Sequence, residues 1–166
     1  FEFHAISYLH QNKPDVYYLN DKIKRHFLFD APVSMTKAIL FKHVIKKLKF
    51  IIVSEKIDIL ICCDAIHFPY GILACKETKT KCLCWEHTSP ITSDDHKFQN
   101  VCRSFGVKRA DKFIVLTKYA ENYYKRKFPK YQNKILQIYN PIAKDSGQSP
   151  YYDIEAKKII SVGRLS

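Results

Sequence analysis

A carboxylate, an imidazole and two hydroxyls fall within four consecutive residues, Glu86-His87-Thr88-Ser89, directly after the apolar run Cys82-Leu-Cys-Trp85. That run reads as a strand, so the four polar groups stand where it meets a loop. Histidine can move a proton or donate a hydrogen bond to a developing oxyanion near neutral pH, and a glutamate accepts from hydroxyl donors. The same four residues also suit a plain strand-to-loop junction whose polar side chains cap the following helix. A second place is Thr117-Lys118, where Phe113-Ile-Val-Leu116 runs into a helix start. Backbone N–H groups at such a terminus favour anions, although capping alone accounts for the threonine. A third is Gly163-Arg164, after the apolar Lys158-Ile-Ile-Ser-Val162. Glycine there admits close backbone approach and arginine matches phosphate oxygens. Short strings of that kind occur widely.

Six cysteines stand at 62, 63, 75, 82, 84 and 102, most of them inside apolar, strand-like runs. Such cysteines behave as small buried hydrophobes. Zinc would prefer a longer gap than Cys82-Leu-Cys84 and a second matching pair, so reduced thiols in a cytosolic protein are expected, with no metal and no cofactor. His4, His10, His26, His43, His67 and His96 show no ligand spacing. Phosphate-cradling P-loops, Gly-x-Gly-x-x-Gly and nucleophile elbows do not occur.

These positions need a scaffold. Apolar, β-branched runs fall at residues 1–9, 16–19, 57–63, 81–86, 113–117, 135–139 and 158–162, several without clean alternation. Strands covered on both faces read that way. They alternate with helical periods at about 35–53, 70–76, 96–104 and 118–128, which predicts βα units and a parallel sheet. In the first helix Ala38, Phe41, Ile45, Leu48 and Ile52 form an apolar stripe, with Ser34 as its N-cap and Lys42, His43, Lys46, Lys47 and Lys49 on other faces. In the last, Thr117 caps, Glu121 lies in the first turn and Pro129 stops the helix.

The 166 residues suffice for one domain with a real core. A hydrophobic share of 46% excludes a disordered tail. No apolar run approaches the roughly 20 residues of a membrane span. The formal charge of +12 calls for an anionic partner. The opening Phe-Glu-Phe-His reads as a strand already under way, which predicts a first strand upstream. The polar, turn-rich residues 143–156 read as a linker, and 157–166 as the first strand of a further domain.

In order, Arg109-Ala-Asp-Lys-Phe-Ile-Val-Leu-Thr-Lys-Tyr-Ala-Glu-Asn-Tyr-Tyr124, Lys134-Ile-Leu-Gln-Ile-Tyr-Asn-Pro-Ile142 and Lys157-Lys-Ile-Ile-Ser-Val-Gly-Arg-Leu165 resemble the middle of a retaining family 4 glycosyltransferase. Glu86-His87 resembles the place where such enzymes often carry a cleft histidine. Pro141 departs from the pattern, standing where glycine is common. The resemblance implies a Rossmann-like parallel sheet flanked by helices, the N-terminal half of a GT-B fold over residues 1–142, with the donor-binding domain beginning in 157–166. It implies sugar transfer from a nucleotide-sugar to a glycan or lipid-linked acceptor, in bacterial surface-polysaccharide or lipopolysaccharide assembly, without a required metal. It places His87 at the reacting sugar and Glu86, Thr88, Thr117, Lys118 and Asn140 along the cleft. Gly163 and Arg164 take the donor diphosphate. The basic helix near 37–49 gains an anionic membrane as a partner, on the cytoplasmic face. The alternative is a basic α/β nucleic-acid-binding module, disfavoured because the charge is spread over several helices.

Overall fold

The computed structural model describes residues 1–9, 19–32, 34, 36–90 and 97–141. Strands β1 (His4–Leu9) and β2 (Lys24–Phe29) are followed by helix α1 (Lys37–Ser54) and β3 (Ile59–Cys63). Then come α2 (Phe68–Cys75), β4 (Lys81–Glu86), α3 (Lys97–Arg109), β5 (Lys112–Val115), α4 (Lys118–Lys127) and β6 (Ile135–Gln137). One 3-10 turn, Ala65–His67, leads into α2, and another, Pro129–Lys134, leads into β6. Every described pairing is parallel. Strands β3-β4-β5-β6 form one sheet in chain order and β1-β2 form another. The fold is thus α/β with parallel sheets flanked by helices, as the alternation of elements predicts.

The strand patterns explain the core. Leu60 and Cys62 are buried while Ile59, Ile61 and Cys63 are exposed, so β3 alternates. Cys82, Cys84 and Glu86 alternate likewise in β4. On the covered face α2 approaches closely: a Cβ on Gly71 would lie 2.1 Å from Cys62 Sγ. In β5, Phe113, Ile114 and Val115 are all buried, a run covered on both faces. Phe113 is the hub, its ring meeting Phe68 edge-on at 5.8 Å and Tyr124 at 5.0 Å.

Several expectations shift. The segment Lys24-Arg-His-Phe-Leu-Phe29 forms β2, although its charged start hides it from a reading based on apolar runs. The expected strand at 16–19 lies largely outside the described residues, and Leu19 itself is not in a strand. The stripe of α1 is rotated: Val44, Leu48 and Ile52 are buried, whereas Ala38 is exposed. That helix starts at Thr36 as N-cap rather than Ser34, without a side-chain capping bond. Helix α3 extends beyond Ser104 to Arg109 because Gly106 is not a breaker here; a Cβ there would lie 2.7 Å from the Phe68 ring. The expected linker at 143–156 and the strand at 157–166 lie outside the described residues.

Candidate active site at the C-terminal edge of the sheet

The register brings the predicted positions to one edge. Cys63 stands opposite Trp85, Glu86 opposite Val115, and Val115 opposite Gln137. The residues that follow, Asp64, His87, Leu116-Thr117 and Ile138, therefore form a row at the carboxyl ends of β3 to β6. The row is stitched by backbone bonds from Asp64 N–H to the Trp85 carbonyl at 3.3 Å and from Ile138 N–H to the Val115 carbonyl at 2.9 Å. The Gln137 amide adds a bond to the Leu116 carbonyl at 3.2 Å. This is the edge at which open α/β sheets bind ligands.

Glu86 and His87 are neighbours with opposite fates. Glu86 points into the covered face and is 1% exposed. Its Oε2 accepts from Arg103 Nε at 2.8 Å, and its Oε1 accepts from the Thr88 N–H at 2.8 Å. Arg103, 3% exposed, donates its other nitrogens to Asn100 Oδ1 at 3.1 Å and Gln99 Oε1 at 3.2 Å. The glutamate thus clamps the loop that follows β4 to α3. It is too enclosed to present an oxygen at the surface, which a sugar-accepting role would need. His87, one residue on, is exposed, with its ring 5.4 Å from the Trp85 indole. Thr88 is half-buried, and its N–H carries the clamp.

At the next strand, Thr117 Oγ1 accepts from the Ala120 N–H at 3.1 Å, so the threonine caps α4. Lys118 Nζ donates to Glu121 Oε2 at 2.6 Å, and Lys125 Nζ donates to Oε1 at 2.8 Å. These two hydrogen bonds, Lys118 first, hold the Glu121 carboxyl below the ordinary carboxylate range. Asn140 is exposed just past β6. Gly163 and Arg164 lie outside the described residues.

Two residues at the same edge were not singled out in the sequence, Asp64 not at all and His67 only among histidines without ligand spacing. Asp64 has φ 71 and ψ 142, a left-handed backbone that a non-glycine residue adopts only under strain. His67 follows in the adjoining 3-10 turn, its Nδ1–H donating to the Cys63 carbonyl at 2.6 Å. Since a carbonyl only accepts, Nδ1 carries the proton and Nε2 is left as the acceptor of the neutral ring. The signal was available: Asp64 follows an apolar strand as directly as His87 does. Arg103 was equally overlooked, although Gln99 and Asn100 precede it by one helical turn.

All six cysteines are free, and all but Cys63 are buried. Hydrogen bonding to Cys82, followed by burial, pushes the Cys75 and Cys84 thiols up. Potential metal ligands converge, among the described residues, only at His4, His26 and Glu55. That group sits at the opposite end of the strands, where the Lys24 ammonium already contacts Glu2 and Glu55.

The model for Glycosyltransferase Family 4 matches residues 3–146. The chain belongs to that family. No curated relative matches the chain. The family 4 match spans β1 to β6 and takes in every edge position named above except Gly163 and Arg164. A glycosyltransferase role follows, with a sugar donor and an acceptor as substrates. None of the described helices of this family 4 chain is long and apolar enough to cross a membrane.

Proposed function

We propose that this chain is the acceptor-side half of a retaining, GT-B type glycosyltransferase that moves a hexose from a nucleotide-sugar to a lipid-linked acceptor in surface-polysaccharide assembly. The observation that carries the reading is the divided Glu86-His87 pair. A buried, arginine-clamped carboxylate fixes the loop, and the adjoining imidazole stands exposed at the ligand-binding edge. In this reading His87 hydrogen-bonds the reacting sugar, and Thr88, Lys118 and Asn140 line the acceptor side. Gly163 and Arg164 take the donor diphosphate from the second domain. Glu86 and Thr117 act by positioning, through the loop and the helix cap. The test is transfer of radiolabelled sugar from a panel of nucleotide-sugars by the complete two-domain enzyme. His87→Ala should lower kcat by about 10²- to 10³-fold, the cost of one donor aimed at developing charge, with the urea midpoint unchanged. Wild-type activity in that variant would remove His87 from the chemistry.

The membrane part rests on α1. Ile39, Lys42, His43, Lys46, Phe50 and Val53 recur at spacings of three and four, and all six are exposed. One stripe thus combines basic and apolar side chains, as interfacial helices do. The apolar members include Phe50, 72% exposed. Sedimentation with anionic vesicles at low salt should bring the protein down, and Phe50→Ser should weaken it; equal partition to neutral vesicles would end the membrane reading.

A further inference from the structure

Away from the ligand-binding edge, three side chains of metal-ligand type meet from separate stretches of chain. His4 opens β1, His26 lies within β2, and Glu55 caps the C-terminus of α1 just ahead of β3. Each offers one donor atom, and the three atoms lie within 4.8 Å of one another. The register explains the meeting of the histidines. His26 pairs with Ile6 in the parallel β1–β2 ladder, so it shares a face with Ile6 and with His4 two residues earlier. Glu55 is drawn in by Lys24, whose ammonium contacts Glu55 at 3.4 Å and Glu2 as well.

The two imidazoles set the chemistry. His4 Nδ1 and His26 Nε2 face each other at 2.9 Å, with the ring planes 9° apart. The other nitrogen of His4, Nε2, lies 3.4 Å from Glu2 Oε1. A carboxylate accepts, so His4 Nε2 carries the proton and Nδ1 is left with its lone pair. The N–H of His26 Nε2 fills the gap. A single proton therefore stands between two ring nitrogens, with carboxylates close by. In a tetrahedral site with Zn–N bonds of about 2.0–2.1 Å, two ligating nitrogens are about 3.3 Å apart. The pair has to open by only a few tenths of an ångström to admit the ion. A metal-bound imidazole commonly gives its other N–H to a carboxylate, which is how Glu2 stands to His4. The His4 side chain is 8% exposed and held by packing, whereas that of Glu55, at 30%, has room to swing inward.

We infer that His4, His26 and Glu55 bind one zinc ion, with water as the fourth ligand and Glu2 orienting the His4 ring. The ion takes the place of the proton between the imidazoles. His26 shifts that proton to its own Nδ1, and Lys24 releases Glu55 while keeping Glu2. Two nitrogens and one carboxylate suit zinc, whereas Mg2+ and Ca2+ take sets of oxygens. The site ties β1 and β2 to the turn between α1 and β3, so its role is to brace the fold. It lies at the far end of the strands from His87 and takes no part in the chemistry assigned there.

The test titrates chelator-treated protein with zinc chloride against a chromogenic zinc indicator and follows thermal unfolding with and without the ion. One equivalent should bind, and Tm should rise by about 5 °C or more at free zinc a hundredfold above the dissociation constant. Glu2→Gln should weaken binding by about tenfold or more, and His26→Gln and Glu55→Gln by more than that. Both ligand variants should lose the rise in Tm while keeping the zinc-free Tm of the wild type. Glu55→Gln, at a partly exposed position, decides the matter if the His26 variant does not fold. Lys24→Met should tighten binding, because the competing ammonium is gone. Zinc bound as tightly by the ligand variants as by the wild type overturns the proposal and moves the ion to the buried thiols. Weaker binding in Lys24→Met overturns it too, as does a wild-type Tm that zinc leaves unchanged.

Discussion

Arg103→Met tests whether the Glu86 clamp governs the β4 loop. The substitution keeps much of the side-chain volume in α3 and removes the charge. It leaves a carboxylate that is 1% exposed with the Thr88 N–H as its remaining partner among the described residues. Breaking a buried ion pair by removing one partner costs about 3–5 kcal/mol. Against a typical domain stability of about 5–15 kcal/mol, that is a third or more of the total in most cases. Urea unfolding followed by far-UV circular dichroism should show the midpoint falling in proportion, with the slope unchanged. The decisive arm is Arg103→Met combined with Glu86→Gln. The amide can still accept the Thr88 N–H and carries no charge, so about 2 kcal/mol or more should return if the uncompensated charge is the penalty. A double variant as unstable as Arg103→Met alone would refute the reasoning and assign the loss to packing or to the bonds with Asn100 and Gln99.

Glu121 gives a pH dependence. Its folded pKa lies below the ordinary value, so its pairs with Lys118 and Lys125 stabilise the fold above that ordinary value, and the contribution fades as pH falls through the lowered one. Glu121→Gln should cost about 0.5–1 kcal/mol at pH 7 and almost nothing at the acid end, measured by urea midpoints at both pH values. A pH-independent cost would contradict this. Iodoacetamide at pH 8 should alkylate native protein at Cys63 alone, the other five thiols being buried. Burial and the neighbouring Asp64 raise the Cys63 pKa above 9.0, so its rate should keep climbing past pH 9, read by intact mass. Early labelling of Cys75, Cys82 or Cys84 would overturn the packing described for β4.

Periodicity exposed the alternation of strands and helices, and with it the edge that holds His87, Thr117 and Asn140. That works because apolar runs mark strands in the sequence whether both faces are buried, as in β5, or burial alternates, as in β3 and β4. Strand β2 escaped because only Leu28 and Phe29 of its six residues are buried, so four polar or exposed positions mask the pattern. The stripe of α1 was misplaced at Ala38 because spacing fixes a helical face only to within a residue, and tertiary packing chose Val44. The sequence leaves Glu86 open between a ligand group and a structural junction, because a lone acid at a strand end says nothing of the arginine 17 residues later that buries it. The strain at Asp64 has no sequence signature, since φ 71 with ψ 142 lies outside the αL region that aspartate tolerates and no residue type announces it.

Helix α1 holds five lysines, but it does not offer them all. Lys47 donates to the Leu28 carbonyl and lies over the Phe29 ring, while Lys49 donates to the Lys76 carbonyl. On the exposed stripe Lys42 and Lys46 remain, an attraction to anionic headgroups of about 2 kcal/mol. In the proposed membrane reading, such an attraction would enrich the protein at a charged bilayer by roughly thirtyfold. Visits to the surface would then be brief and easily reversed by salt, with residence time set by how deeply Phe50 and its apolar neighbours wedge among the lipids.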